Sequence, residues 1–301
     1  MLFLLSLFLI SSIASIANSQ TYITSPVICD LTTTARVNIN KVQILSIDTY
    51  PDSFKYMKYI RPNITVPSNS GIEKKYCNSH CDNTMAGALG VRYSDKIPSL
   101  RNIKVNYVPG LLCTGGGYEP YLIDSIDYAI NIAKENSLRG INTVVVYSIG
   151  GTYNTLQKIN AMRTLTEIDG TYVVTPIGNS YSGQYDNCEL NFLRLNPKLI
   201  IVGGTQKGNQ LLDISMVGKC VNYYVPGAYK SAVTNKQIRG TSFSGPIVAY
   251  MFANYLLNFP GATREQILSF LDSKTNTVTR ITNMGQTIQM KIFRKSGICK
   301  L

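Results

Sequence analysis

Three side chains in this 301-residue sequence are of the types that acyl transfer by a serine demands. Ser242 lies in Arg239-Gly240-Thr241-Ser242-Phe243-Ser244-Gly245-Pro246. Gly240 admits close or left-handed backbone at a turn, and Pro246, which lacks an N–H, suits the first turn of a helix. Ile247 to Ala253 reads IVAYMFA, apolar nearly all round, so a central buried helix is predicted there. Ser242 is thus expected just ahead of a helix N-terminus, where backbone N–H groups favour developing negative charge. His80 is the sole histidine, and Asp48 closes an apolar run, Val42-Gln43-Ile44-Leu45-Ser46-Ile47. A serine nucleophile needs an imidazole to take its proton, an acid to orient that imidazole and donors for the oxyanion. Taken singly, each signal has a plainer reading: a small-residue turn with a solvated serine, and a structural histidine. Their surroundings decide.

The elements around them alternate. Val42–Tyr50 reads as a buried parallel strand that delivers Asp48 at its carboxyl end. Residues 51–76 read as a surface excursion with several prolines, and His80 precedes a small-residue helix. Ile103–Val108 is a strand, and residues 121–135 form an amphipathic helix with Ile123, Ile126, Ile130 and Ala133 on one face. Asn142–Tyr147 is a buried strand ending in Ser148-Ile149-Gly150-Gly151, and residues 154–165 are a second helix. Thr171–Asn179 and Leu199–Gly204 are further strands. A short helix is expected near 263–272, and an antiparallel hairpin around Asn283-Met284-Gly285. Strand–helix alternation predicts an α/β fold in three layers, with a mainly parallel central sheet. Such sheets hold their sites at the carboxyl edge.

In chain order Asp, His, Ser, these segments resemble the subtilisin-like serine proteases, the subtilase (peptidase S8) family. The likeness runs through Ile44–Thr49, Asn78-Ser79-His80 with Met85-Ala86-Gly87, Ser148-Ile149-Gly150-Gly151, Pro176-Ile177-Gly178-Asn179, Val202-Gly203-Gly204, Val225-Pro226-Gly227 and Gly240–Pro246. It implies a secreted serine endopeptidase with a subtilisin-like fold. Ser242 would be the nucleophile, His80 the base, Asp48 the orienting acid and Asn179 the oxyanion donor. Ser148, Ile149 and Gly150 would pair with a peptide substrate as a β-strand. The absence of added acids there leans towards an apolar residue before the scissile bond. The implied organisation is a secretory signal over residues 1–19 and one peptidase domain over 20–301.

Three features depart from the family pattern. Tyr50 stands where a glycine usually follows the acid by two residues. In the family's His-Gly-Thr-His-Val-Ala-Gly the histidine lies six residues before the last glycine; here Cys81 does, and His80 lies seven before Gly87. Only residues 20–47 separate the signal from Asp48, less than a family pro-domain needs. A second reading therefore stands beside the first: a catalytically inactive homologue, with Cys81 in the histidine's place and bonded to Cys77, serving as a secreted binding or structural protein.

Apolar residues make up 45% of the chain, enough for a sizeable core. Lys and Arg exceed Asp and Glu by 12, but they are scattered. No basic patch with interleaved aromatics points to nucleic acid, so protein or peptide substrates are the expected partners, and a monomer is expected. The apolar start, ending Ala17-Asn18-Ser19, reads as a secretory signal. A signal anchor is the competing reading, and no later stretch could cross a membrane. Seven cysteines in an exported chain suggest up to three disulfides and one odd thiol, with connectivity open. Asn63-Ile64-Thr65 is a glycosylation sequon, expected on a surface loop. No cofactor is established and no metal ligand set is recognised; structural Ca2+, which the family binds through scattered carbonyls and carboxylates, stays open.

Overall fold

The computed structural model describes residues 41–50, 63–64, 80–88, 103–149, 155–188, 196–231 and 234–293. In chain order these hold β1 (Val42–Thr49), β2 (Asn63–Ile64), α1 (His80–Ala88), β3 (Lys104–Leu111), α2 (Glu119–Leu138), β4 (Asn142–Tyr147), α3 (Leu156–Glu167), β5 (Thr171–Pro176), β6 (Ile200–Gln206), β7 (Gln210–Leu211), β8 (Tyr223–Pro226), β9 (Ala228–Lys230), β10 (Gln237–Arg239), α4 (Gly245–Asn258), α5 (Arg264–Asp272), β11 (Thr275–Ile281) and β12 (Thr287–Phe293). Among them one sheet runs in the order β11-β12-β8-β6-β5-β4-β1-β3-β2, with β7 paired to β6. From β2 to β8 the path is parallel. Among the named strands, antiparallel pairing is confined to β7 on β6, the β11–β12 hairpin and the small β9–β10 sheet. The architecture is the expected three-layer α/β fold.

Side chains alternate across the sheet with a period of two, so each strand feeds two cores. On one face Val42, Ile44, Tyr107, Val146, Val174 and Val202 pack against α1, α4 and α5. On the other, Leu45, Ile47, Val145, Tyr147, Val173 and Ile201 pack against α2 and α3. Helix α4 is buried along almost its whole length, which is why its sequence shows no polar face. Pro246 lies in its first turn as predicted. Helix α2 starts two residues earlier and ends three later than its apolar period suggests, because Pro120 is tolerated in the opening turn. Thr155 caps α3 by accepting from the Lys158 N–H, and Thr263 and Gln266 form a reciprocal capping box on α5.

The predicted C-terminal hairpin is present, and Ile292 of β12 pairs in parallel with Tyr224, extending the main sheet. One local expectation changes. Asn63 and Ile64 of the sequon form an edge strand along β3 rather than a loop. An edge strand needs a partner on one side only, so a segment of two residues can fill the place. The predicted signal, Cys77 and most of the 51–76 excursion lie outside the described residues. Cys188 and Cys220 form a disulfide, Cys113 is also disulfide-bonded, and Cys81 is a free, buried thiol.

Candidate active site

The parallel strands end together at one edge of the sheet, and those predicted site residues that are described lie there. β1 places Val42, Ile44, Ser46 and Asp48 on the face that meets α1 and α4. Asp48 therefore points beneath α1. Its carboxylate is fully buried, a position that is costly unless its oxygens are hydrogen-bonded. Oδ1 accepts from the Thr49 backbone N–H at 2.6 Å and from His80 Nδ1 at 2.7 Å. Oδ2 accepts from Thr84 Oγ1 at 2.9 Å. Aiming the carboxylate thus falls to Thr49 and to α1, and Tyr50 stands where the strand has already ended.

His80 is the first residue of α1, and its ring lies 5.2 Å from that of Phe243, the neighbour of Ser242. The extra residue between histidine and glycine finds its place in the helix itself. Seven residues at about 100° each fall roughly 20° short of two turns, so His80 and Gly87 share one face. Both meet the serine turn. A Cβ on Gly87 would lie 3.2 Å from the Tyr229 hydroxyl, 3.4 Å from Pro246 Cβ and 3.7 Å from the Phe243 carbonyl oxygen. Glycine at that position lets α1 approach α4 closely. Cys81, one residue on, turns inward among the core residues and beside Ser46. The competing assignment, with Cys81 beside Asp48 in the histidine's role and bonded to Cys77, is not what this geometry shows. It is His80 that meets the carboxylate, and Cys81 carries no disulfide.

The electrostatics follow from these neighbours. Burial by itself would lower the His80 pKa; the charge of Asp48 and the hydrogen bond to it outweigh that, and the net shift is upward from 6.5. Burial, with the charges of Asp48 and Asp82, pushes the Cys81 thiol well up and keeps it un-ionised. The Tyr107 hydroxyl is raised by the same surroundings, burial first.

The opposite wall is the serine turn. The β9–β10 hairpin delivers Gly240, whose N–H donates to the Gly227 carbonyl at 2.8 Å. Gly240 has φ +151°, and a Cβ there would meet nothing closer than 3.5 Å, so backbone conformation rather than space calls for glycine. Thr241, Ser242 and Phe243 then form one 3-10 turn that runs into α4. Ser242 is half-buried. Asn179 follows β5 and is exposed at the same edge. Its Oδ1 accepts from the Thr241 N–H at 2.9 Å and from Thr241 Oγ1 at 3.1 Å. With its oxygen committed to Thr241, the Asn179 amide presents its NH2 for donation. Ser148, buried at the end of β4, donates to the Ser242 carbonyl at 3.5 Å, and Ile149 is buried beside it. Gly150, the third residue expected to meet substrate, lies outside the described residues.

Two contributors have no counterpart among the predicted site residues. Thr84 could have been found from spacing, because it lies one helical turn after His80. Thr241 carried no such signal: its link to Asn179 spans 62 positions and exists only in the fold. Among the described residues, no three His, Cys, Asp or Glu side chains gather as a metal site, and no helix is long and apolar enough to cross a membrane.

Residues 58–291 match the family model described as the subtilase family. The chain is 26% identical over 195 to 201 residues to two curated relatives; one is the "Extracellular serine proteinase" of Thermus sp. (strain Rt41A), with 65% of this chain and 45% of the relative covered. It is 24% identical to the "Subtilase-type proteinase psp3" of Schizosaccharomyces pombe (strain 972 / ATCC 24843), covering 68% of this chain and 46% of that protein. The chain spans less than half the length of the curated relatives it matches. In fold it is similar to a cold adapted subtilisin-like serine proteinase of known crystal structure, with a TM-score of 0.64 at 22% identity, over 87% of this chain and 92% of that one. With the family model covering most of its length and the Asp, His and Ser segments meeting at one sheet edge in family order, the chain belongs to the subtilase family.

Proposed function

We propose that this protein is a secreted serine endopeptidase that cleaves peptide bonds through Asp48, His80 and Ser242, with Asn179 in the oxyanion hole. The observation that carries the reading is the sole histidine. Its Nδ1 lies 2.7 Å from a buried carboxylate and its ring lies against the serine turn, despite the altered spacing around it.

The chemistry follows from the contacts. Nδ1–H donates to Asp48, which leaves Nε2 as the lone-pair nitrogen. Ser242 Oγ attacks the scissile carbonyl while Nε2 takes its proton. The resulting imidazolium is stabilised by Asp48, whose own charge is held by Thr49 and Thr84. The oxyanion accepts from Asn179 Nδ2 and from the Ser242 N–H. His80 returns the proton to the leaving amine, and water releases the acyl group by the reverse sequence. An extended substrate pairs with the strand end at Ser148 and Ile149.

Secretion rests on the apolar N-terminal stretch and agrees with the Cys188–Cys220 disulfide, a bond favoured outside the cytosol. The test is covalent labelling of the secreted protein with a fluorophosphonate, beside Ser242→Ala and His80→Ala. Labelling abolished by both substitutions is expected. A folded wild-type protein that never labels would sink the enzyme reading and leave the inactive homologue.

A further inference from the structure

We infer that Thr84 is a positioning residue for the acid–base pair: its hydroxyl holds Oδ2 of Asp48 so that Oδ1 stays turned toward His80. The inference rests on the endopeptidase reading for its kinetic consequence, but not for its structural one.

Asp48 offers two oxygens at a position that is itself fully buried. Oδ1 has two partners, the Thr49 N–H and His80 Nδ1. The hydrogen bond from Thr84 Oγ1 occupies Oδ2. A carboxylate pinned at one oxygen only can swing about its Cβ–Cγ bond, and its second oxygen would sit dry and unmatched. Thr84 prevents both. Its own environment explains why it is available. It is fully buried on α1, one turn beyond His80, so the two side chains descend from the same helical face onto the same carboxylate. Thr84 Oγ1 also lies 2.9 Å from the Cys81 carbonyl oxygen, the local contact that helical threonines commonly make. The single hydroxyl proton favours the charged acceptor, and the carbonyl contact fixes the side-chain rotamer. Histidine and threonine thus form one rigid clamp whose two jaws are set by the pitch of a single helix.

Other groups face this site, and none of them replaces the hydroxyl. From α1 come Cys81, which burial keeps un-ionised, and Asp82; from β3 comes Tyr107, likewise held neutral. From the serine turn the ring of Phe243 faces His80. None of these is a donor to Asp48 Oδ2 in the structure.

The test uses the fact that His80 is the only histidine, so its ring signals in an NMR spectrum are assigned without ambiguity. Thr84→Val keeps shape and removes the hydroxyl; Thr84→Ser keeps the hydroxyl. Each is made in the full secreted chain for kinetics, and in a Ser242→Ala background for the NMR titration, which prevents self-digestion. Thr84→Val is expected to lower kcat by roughly 10–100-fold, the scale of one hydrogen bond to a charged group, with KM within about twofold. In the same variant the His80 titration midpoint should fall and the low-field Nδ1 proton should broaden or vanish. Thr84→Ser should restore most of both. A folded Thr84→Val protein with unchanged kcat and unchanged His80 midpoint, even if it melts earlier, would make Thr84 merely structural and overturn the inference. So would a midpoint that rises, since the carboxylate would then have kept its place without the hydroxyl. If the wild type never labels with fluorophosphonate, the endopeptidase reading fails, while the NMR titration still decides the role of Thr84.

Discussion

The two walls of the site are built on different principles. In the proposed mechanism the acid–base wall is a buried carboxylate surrounded by donors, two of which come from one helix. The nucleophile wall is a turn whose parts are tied by backbone and by one amide side chain, at the exposed edge of the sheet. In sequence the contrast runs the other way: the nucleophile wall keeps the family pattern from Gly240 to Pro246, and the acid–base wall departs from it at Tyr50 and around His80. A turn that must aim backbone N–H groups depends on local φ and ψ, so its residue types are constrained one by one. A carboxylate clamp depends on donors reaching a point in space, and more than one helical register can supply them.

The sharpest way to break this contrast is to remove the residue that the proposed mechanism makes the proton acceptor. His80→Ala should lower kcat by roughly 10⁶-fold, the scale at which catalytic serines and histidines act as a unit, and adding Ser242→Ala should cost little more. Additive losses would mean that the two walls work separately. Next in size is Asn179→Ala, expected to cost about 10²–10³ in kcat with little change in KM. Steady-state kinetics on one peptide substrate would show a loss in KM instead if Asn179 only bound ground-state substrate.

Dependence on pH probes the buried wall. The proposed mechanism requires neutral His80, and the folded imidazole titrates above 6.5 because Asp48 outweighs burial. kcat/KM should therefore climb through a midpoint above 6.5. The same raised pKa sets a stability trend of opposite sense. The ion pair contributes fully below the unfolded histidine pKa, and its contribution is lost as pH rises through the folded one. A rate limb centred below 6.5 would contradict the raised pKa.

Smaller effects separate the walls further. Thr241→Val removes one of two donors to Asn179 Oδ1 and leaves the backbone N–H, so kcat should fall only about 2–10-fold. Cys81→Ala should leave kcat nearly unchanged while costing about 1 kcal/mol of stability, measured by denaturant melts, because it trims a buried side chain. Loss of activity in that variant would return Cys81 to the chemistry.

Much of this was legible before the fold was known. Alternating strands and helices, strands buried on both faces and the apolar α4 all declare a parallel three-layer sheet, because hydrophobic period and length are local properties. The order Asp48, His80, Ser242 and the Gly240–Pro246 turn declare the chemistry to look for. Other features were hidden. The β9–β10 hairpin that delivers Gly240 is too short to show a period. The sharing of Asn179 by Thr241, and the pairing of Cys188 with Cys220, join residues that no local pattern connects.

The spacing around His80 shows the division most clearly. The sequence alone determines that seven residues separate His80 from Gly87, and that Cys81 occupies the family's six-residue place. It also determines which residue types are present to act. Only the tertiary structure decides where the helix begins. With α1 starting at His80, a seven-residue spacing lies nearly two whole turns along and returns to one face, so His80 and Gly87 both reach the serine turn while Cys81 points into the core. The start of a helix is set by what its faces pack against, here Asp48 below and α4 alongside, and that information is spread across the whole chain.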